Sequence, residues 1–152
     1  MSITIHFGGR LDSVKALEDL LAFVNYYAND KDWMCSDLKD DGQNELQPWE
    51  NGIILQSHPK VETIRLFFDE TLTLQTFCKT QFGGVEAHIE VIEFLHAIEH
   101  FFLDFWVIDE GDYWATNDHL ILKEKIDVMS KILDDVEKSL RAQKDDDKWK
   151  YN

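Results

Sequence analysis

The chain has 152 residues, and its 30 acidic residues outnumber 15 basic ones, which gives a formal net charge of −15. A hydrophobic fraction of 44%, with ten Phe and five Trp, is too high for a disordered protein, and the length suits one domain with its own core. The negative charge argues against binding to nucleic acid or to an anionic membrane, because both need Lys and Arg to neutralise phosphate groups.

The first half of the chain predicts one strand, one helix and then a run of strands. Residues 2–7 alternate apolar and polar side chains, as in a half-buried strand, and Gly8-Gly9 is expected to end it. Apolar residues recur at helical spacing over residues 13–27, where Asp12 or Ser13 can cap the free amide groups. Further strands are predicted at residues 33–35, 52–56, 61–68 and 71–82, with a hairpin turn at 57–60.

The second half predicts two helices around one strand. The second helix is expected over residues 85–102, followed by a strand at 105–108, a polar loop at 109–118 and a last helix at 119–141. The last helix carries an apolar seam that could cover a sheet or pair with another helix. Its members are Leu122, Ile126, Met129, Leu133, Val136 and Leu140. Residues 142–152 show no periodicity, so we expect a disordered acidic and polar tail after a single domain at 1–141.

The element order β-α-β-β-β-β-α-β-α predicts an α+β protein. We expect a two-layer sandwich in which helices cover one face of a mixed or antiparallel sheet. The tripeptide Phe-Gly-Gly occurs at 7–9 and at 82–84, each time between a predicted strand and a predicted helix. This echo fits either a duplicated β-α-β unit or two independent sharp turns that both need glycine.

The cysteines and the chain start bear on the cellular compartment. Cys35 and Cys78 lie far apart without a C-x-x-C pattern, so two reduced thiols are expected, with Cys78 in the core. The N-terminal residues lack the basic start and apolar stretch of a secretory signal, and no apolar run is long enough for a membrane span. The sequence therefore predicts a cytoplasmic protein.

The segment His96-Ala97-Ile98-Glu99-His100 spells H-x-x-E-H, a zinc-peptidase signature. Two imidazoles one helical turn apart can share a metal, with the glutamate as general base. No third ligand is evident at a meaningful spacing, so catalysis is not favoured. A metal site formed by Glu93, His96 and His100 remains the alternative, and no cofactor is expected.

A helical projection of the same helix favours a structural role for these side chains. His88, His96 and Glu99 fall inside the apolar arc around Ile92, where buried polar groups must be paired, and we expect His96 and Glu99 to form a buried pair. Phe94 and Phe101 lie on the opposite side and predict contact with the last helix or with a second subunit in a homodimer.

Two loops have compositions that bear on binding. Asp109, Glu110, Asp112, Tyr113 and Trp114 place acids around an aromatic pair, which is the composition of a protein-binding hot spot. The alternative is a solvated turn in which the aromatic residues fold onto the sheet and Asp118 caps the last helix. Residues 37–44 are predicted to be a plain loop, because Lys39 and Pro48 stand where a calcium loop needs oxygen ligands, and Trp49 beyond it is a second aromatic candidate.

Two functions from different classes follow from these patterns. The first is a non-enzymatic protein-binding module, comparable in character to small inhibitors, immunity proteins or chaperones, that masks a basic surface on another protein. The second is a small metal-binding module or metal-dependent enzyme that uses the histidines of the second helix.

Overall fold

The computed structural model describes residues 2–37 and 51–150 of the chain, with side chains described for 2–37 and 52–145. The predicted loop from residue 38 onward and Trp49 lie outside the described residues. The helices and strands follow in the order β1 (Thr4–Leu11), α1 (Val14–Asp30), β2 (Met34–Asp37), β3 (Asn51–Gln56), β4 (Ile64–Phe68), β5 (Thr73–Lys79), α2 (Gly84–Ile98), β6 (Phe102–Asp109), α3 (Tyr113–Thr116) and α4 (His119–Lys150). The predicted order is confirmed, and the short α3 is an addition within the predicted polar loop.

The strands form two antiparallel sheets of three strands each. The first sheet has the order β5-β1-β6 and the second has the order β2-β3-β4. Consecutive strands β4 and β5 connect the two sheets, and the Glu62 N–H before β4 donates to the carbonyl oxygen of Lys79 at the end of β5, at 3.0 Å. The α+β class and antiparallel pairing are therefore confirmed, although the strands divide between two sheets instead of one.

The glycine pair in β1 does not end the strand, which corrects the expected break at Gly8-Gly9. β1 continues to Leu11, and both glycines sit in the middle of the first sheet. A Cβ on Gly8 would lie 2.4 Å from the carbonyl oxygen of Leu74, and a Cβ on Gly9 would lie 2.4 Å from that of Asp104. Close backbone approach therefore requires glycine here.

The second Phe-Gly-Gly has a different structural role. There Gly83 and Gly84 stand at the start of α2, and Gly84 has a φ of +81°. A positive φ of this size favours glycine because a Cβ would clash with the backbone. A strand-to-helix turn thus accounts for only one of the two glycine pairs, and the reason that we predicted for both is wrong for β1.

Helix α1 begins as its sequence predicts. The Ser13 side chain accepts a hydrogen bond from the Ala16 N–H at 3.1 Å and so caps the helix. One side of the helix enters the core with Leu17, Leu20, Val24 and Ala28. The helix ends at Asp30, three residues beyond the predicted end.

Helix α2 is buried on most of its circumference. Phe94 is fully buried, with its ring centroid 5.3 Å from that of Tyr27 and 5.6 Å from that of Trp33. Phe101, in the 3₁₀ turn after α2, packs against Phe23 at 5.4 Å. The expectation that Phe94 and Phe101 face α4 or a second subunit is corrected, because α1 already covers this side of α2.

Helix α4 is anchored at its start and projects beyond the core. Its seam residues Leu122 and Ile126 are buried, and the side chain of Gln81 donates to the Ile126 carbonyl at 3.0 Å and to the Ser130 hydroxyl at 2.9 Å. The helix continues to Lys150 instead of ending at Arg141, so residues 142–150 are helical. The division of the chain into one domain and a tail stays a prediction. In the described part of the chain, none of the helices combines the length and apolarity needed to cross a membrane.

Candidate functional site

A buried polar cluster joins α2 to the end of β6. His88 Nε2 lies 2.9 Å from Asp109 Oδ1, and the Thr80 hydroxyl lies 2.6 Å from His88 Nδ1. The contact between His88 and Asp109 is close enough for an ion pair, but the ring N–H is not well aligned for a hydrogen bond. The helical projection therefore identified His88 correctly as an inward-facing residue that needs partners.

Asp109 also organises the loop that follows it. Its carboxylate accepts hydrogen bonds from the backbone N–H groups of Gly111, Tyr113 and Trp114, at 2.8, 2.8 and 2.9 Å. Burial raises the pKa of the Asp109 carboxyl, but His88 and the N–H groups of Trp114 and Gly111 lower it by more, so the pKa lies below the ordinary value. The carboxylate is thus used inside the protein to hold the loop.

The structure places the other predicted loop residues in unlike environments. Tyr113 is buried, and the Trp114 ring stacks on His96 with 3.9 Å between centroids. Glu110 approaches His6 at 3.7 Å, and Asp112 pairs with Lys125. Of the five predicted residues, Glu110, Asp112 and part of Trp114 remain accessible. Asp109 and Tyr113 are buried and do not present their side chains to a partner.

The same loop shows the features expected of a folded turn. Asp118 accepts a hydrogen bond from the Leu120 N–H at 2.9 Å and so caps α4, as the alternative interpretation predicts. Binding of a protein by this loop stays a prediction, and the side chains accessible for it are Glu110, Asp112 and part of Trp114.

The histidine motif does not converge on a metal geometry. His96 Nδ1 lies 3.6 Å from Glu99 Oε1, but both side chains are about half exposed, so the predicted pair exists without being buried. His100 instead packs against the Phe101 ring at 4.2 Å. Among the residues that the structure describes, no group of three or more His, Cys, Asp and Glu side chains is arranged to hold a metal ion, and Glu93, His96 and His100 are not brought together as one.

Sequence analysis missed an acidic surface where α1 meets α2. Tyr27 of α1 is partly buried against α2, and its pKa is raised, first by burial and then by the negative charges of Glu93, Glu90 and Asp30. The two glutamates lie on the exposed side of α2 together with Glu86, at spacings of four and three residues. We call Asp30, Glu86, Glu90 and Glu93, with Tyr27 between the helices, the acidic face.

The acidic face has aromatic groups at its border and little positive charge. Phe23 and His100 approach each other at 6.4 Å beside Phe101, and Lys31 lies over the Tyr27 ring at 5.8 Å. Within residues 2–37 and 52–145, none of the ion pairs includes Asp30, Glu86, Glu90 or Glu93. The spacing of the glutamates was visible in the sequence, but their position beside Tyr27 depends on the packing of α1 on α2.

Comparison with protein-family models, with curated proteins and with solved structures finds no match to this chain. The function must therefore be inferred from the geometry and charge of the chain itself.

Proposed function

We propose that the protein is a non-enzymatic binding module that covers a basic surface on another protein, and that the acidic face is its contact surface. The observation that carries the proposal is the packing of Tyr27 of α1 on Phe94 of α2, at 5.3 Å between ring centroids, next to the exposed acids Asp30, Glu90 and Glu93 of the two helices. Carboxylates held together raise the local negative potential, and a basic partner lowers the free energy of such a surface by pairing with it.

The composition of the acidic face also suits recognition of a protein. Tyr27 and Phe23 are partly exposed and are fixed by packing against Phe94 and Phe101. Rigid aromatic side chains lose little conformational entropy on binding, and Tyr is enriched among residues that dominate binding energy. Carboxylates with aromatic rings beside them would receive the long side chains of Lys and Arg, whose methylene groups pack on rings while their charged ends reach the acids.

The uneven charge of the chain supports the same proposal. Residues 1–118 contain 22 acidic and 7 basic residues, whereas residues 119–150 contain eight of each. The negative charge therefore belongs to the part of the chain that carries α1 and α2. Long-range attraction of a basic partner would act on this part and would speed association at low ionic strength.

A matched pair of charge variants tests the proposal. The first variant combines Asp30→Asn, Glu90→Gln and Glu93→Gln, and the control combines Asp12→Asn, Glu18→Gln and Glu70→Gln, which are exposed acids elsewhere. Both remove three negative charges, so a general charge effect would weaken binding equally. Affinity for a short polylysine peptide is measured by calorimetry at low and physiological salt.

We expect the first variant to bind roughly five- to tenfold more weakly than the control, since three exposed ionic contacts contribute about 0.3–0.5 kcal/mol each. Equal affinities for the two variants would contradict the assignment of the acidic face. Capture of proteins on immobilised chain and on each variant then identifies partners, which should be basic and should be lost selectively from the first variant.

A further inference from the structure

The first sheet has an uncovered face with apolar side chains. Alternate residues of β1, β5 and β6 point away from the core, and among them Phe77, Trp106 and Ile108 are 49%, 38% and 62% exposed. His6 lies between Phe77 and Ile108 in the register of the three strands. We call this surface, with Arg10 and Lys79 on the same side, the outer sheet face. Soluble single domains rarely leave such a group of large apolar side chains together without a binding role.

Helix α4 has an uncovered apolar surface of its own. The seam that begins with buried Leu122 and Ile126 continues along the same side of the helix to Val136 and Leu140, which are 41% and 54% exposed. All side chains from 134 to 145 are exposed, and the helical backbone continues to Lys150; the name free half of α4 is used for residues 134–150. An isolated helix with one apolar side is marginal in water, and packing of that side against another surface is what normally stabilises it.

The two uncovered surfaces meet within one molecule at Met129. This residue is partly buried, and with Phe77, Lys79, His6 and Glu110 it lines a groove of about 390 Å³ between α4 and the outer sheet face. The apolar contact of α4 with the rest of the chain therefore adjoins both the outer sheet face and the free half of α4. Within the described residues neither surface is covered, because the side chains at 134–145 and those of Phe77 and Ile108 are exposed.

We propose that the free half of α4 from a second copy of this chain packs on the outer sheet face, and that the contact is reciprocal, so that two copies form a closed dimer. The dimensions agree: the free half of α4 spans about 25 Å at 1.5 Å per residue, and the eight residues of β1 span about 26 Å at 3.3 Å per residue. One association covers Phe77 and Ile108 together with Val136 and Leu140.

The charges select a second copy as the occupant. The chain before α4 is strongly negative and repels acidic surfaces. The free half of α4 has six acidic and five basic residues, so it can approach the outer sheet face of another copy without a large electrostatic cost. Three of the seven basic residues before α4, namely Arg10, Arg65 and Lys79, are exposed on or beside the outer sheet face. Arg10 already lies 3.8 Å from Asp104, but Arg65 and Lys79 can meet Asp135, since none of these three forms an ion pair among the described residues.

Surface variants test this dimer by sedimentation velocity at micromolar concentrations. Phe77→Lys alters the outer sheet face, and Val136→Lys with Leu140→Lys alters the free half of α4. Leu120→Lys is the control, because Leu120 is 76% exposed on the anchored part of the same helix. We expect dimers of the wild type and of the control, and monomers of the other two variants with unchanged circular dichroism.

Mixing the two monomeric variants provides the decisive observation. One of the two reciprocal contacts is intact in the mixed pair, so a heterodimer weaker than the wild-type dimer is expected. A monomeric wild type, a dimeric Phe77→Lys variant, no association on mixing, or assemblies larger than two copies would each overturn the proposal. A dimeric Phe77→Lys variant beside a monomeric helix variant would indicate pairing of α4 with α4 instead.

Ionic strength separates this proposal from the proposed function. Dimerisation brings together two chains that each have a net charge of −15, so added salt should strengthen it by screening their repulsion. Binding of a basic partner to the acidic face should weaken with salt. Either proposal can therefore fail without affecting the other.

Discussion

His88 Nε2 and Asp109 Oδ1 lie 2.9 Å apart inside the protein, where the two side chains are 0% and 2% exposed. The contact joins α2 to the end of β6, and three backbone N–H groups of the following loop bind the same carboxylate. Asp109 therefore links α2, the end of β6 and the loop that directly follows β6. Its role is to stabilise the fold, although its position in an acidic loop first suggested binding.

Replacing Asp109 by alanine should strongly destabilise the protein. The change removes the acceptor of the Gly111, Tyr113 and Trp114 N–H groups and the carboxylate opposite buried His88, and loss of one member of a buried pair costs about 3–5 kcal/mol. The free energy of unfolding is measured by urea titration. Glu110→Ala next to it serves as the control and should change stability by less than about 0.5 kcal/mol, since its side chain is exposed. A similar small effect for both variants would contradict the role of Asp109.

Stability should fall in acid because of the same carboxylate. The folded-state pKa of Asp109 is lowered, so its contribution is complete above the ordinary aspartate pKa of about 3.9 and is lost as the pH falls through the lowered value. The difference in unfolding free energy between wild type and Asp109→Asn should therefore shrink as the pH decreases below about 4. A difference that stays constant from neutral pH to that range would show that the charge of Asp109 is not involved.

The fold was largely accessible from the sequence because its elements have strong local patterns. The cap at Ser13, the alternation in β1 and the seam of α4 each predict a local structure that the three-dimensional fold retains. Gly8-Gly9 misled the prediction, since glycine usually ends a strand but here permits close contact with Leu74 and Asp104. That contact is made by residues distant in the sequence, which no local pattern reveals.

Gln81 should be required for the attachment of α4. Its side chain accepts from the Ile3 N–H at 3.1 Å and donates to Ile126 and Ser130 of the helix. Gln81→Leu keeps the approximate volume but leaves the Ile3 N–H without an acceptor, so we expect a loss of about 1–3 kcal/mol in unfolding free energy. Hydrogen exchange should accelerate at Ile3 and at the start of α4. Unchanged exchange at both places would refute this role, and Ser130→Ala, which removes one exposed contact, is the milder control.

The two thiols should differ in reactivity. Burial and then the charge of Glu62 raise the pKa of Cys78 to about 12, while Cys35 is only partly buried and has a smaller increase from burial and Asp37. Alkylation of the native protein near pH 8 should therefore modify Cys35 first, because the thiolate is the reactive form. Mass spectrometry after timed alkylation gives the order. Denaturation in urea should make the rates similar, whereas faster native modification of Cys78 would contradict its placement in the core.

The candidate site was harder to predict than the fold, and α2 shows why. The helical projection placed His88 correctly, but it continued past Ile98, where the chain becomes a 3₁₀ turn, and so placed Glu99 too far inside. It also assigned Phe94 to the last helix or a second subunit, because it did not include α1 as a neighbour of α2. The surface around Tyr27 arises only from the packing of these two helices, so the sequence supplied its charges without their arrangement.

Nuclear magnetic resonance can locate the binding of a basic ligand where α1 meets α2. Backbone amide shifts of the labelled protein are followed while a short polylysine peptide is added at low salt. We expect saturable shifts concentrated at Tyr27, Asp30, Glu90 and Glu93, and a roughly five- to tenfold higher peptide concentration to reach half saturation in the variant with Asp30→Asn, Glu90→Gln and Glu93→Gln. Small shifts spread evenly over all exposed acids, or shifts concentrated at Glu110 and Asp112, would contradict it.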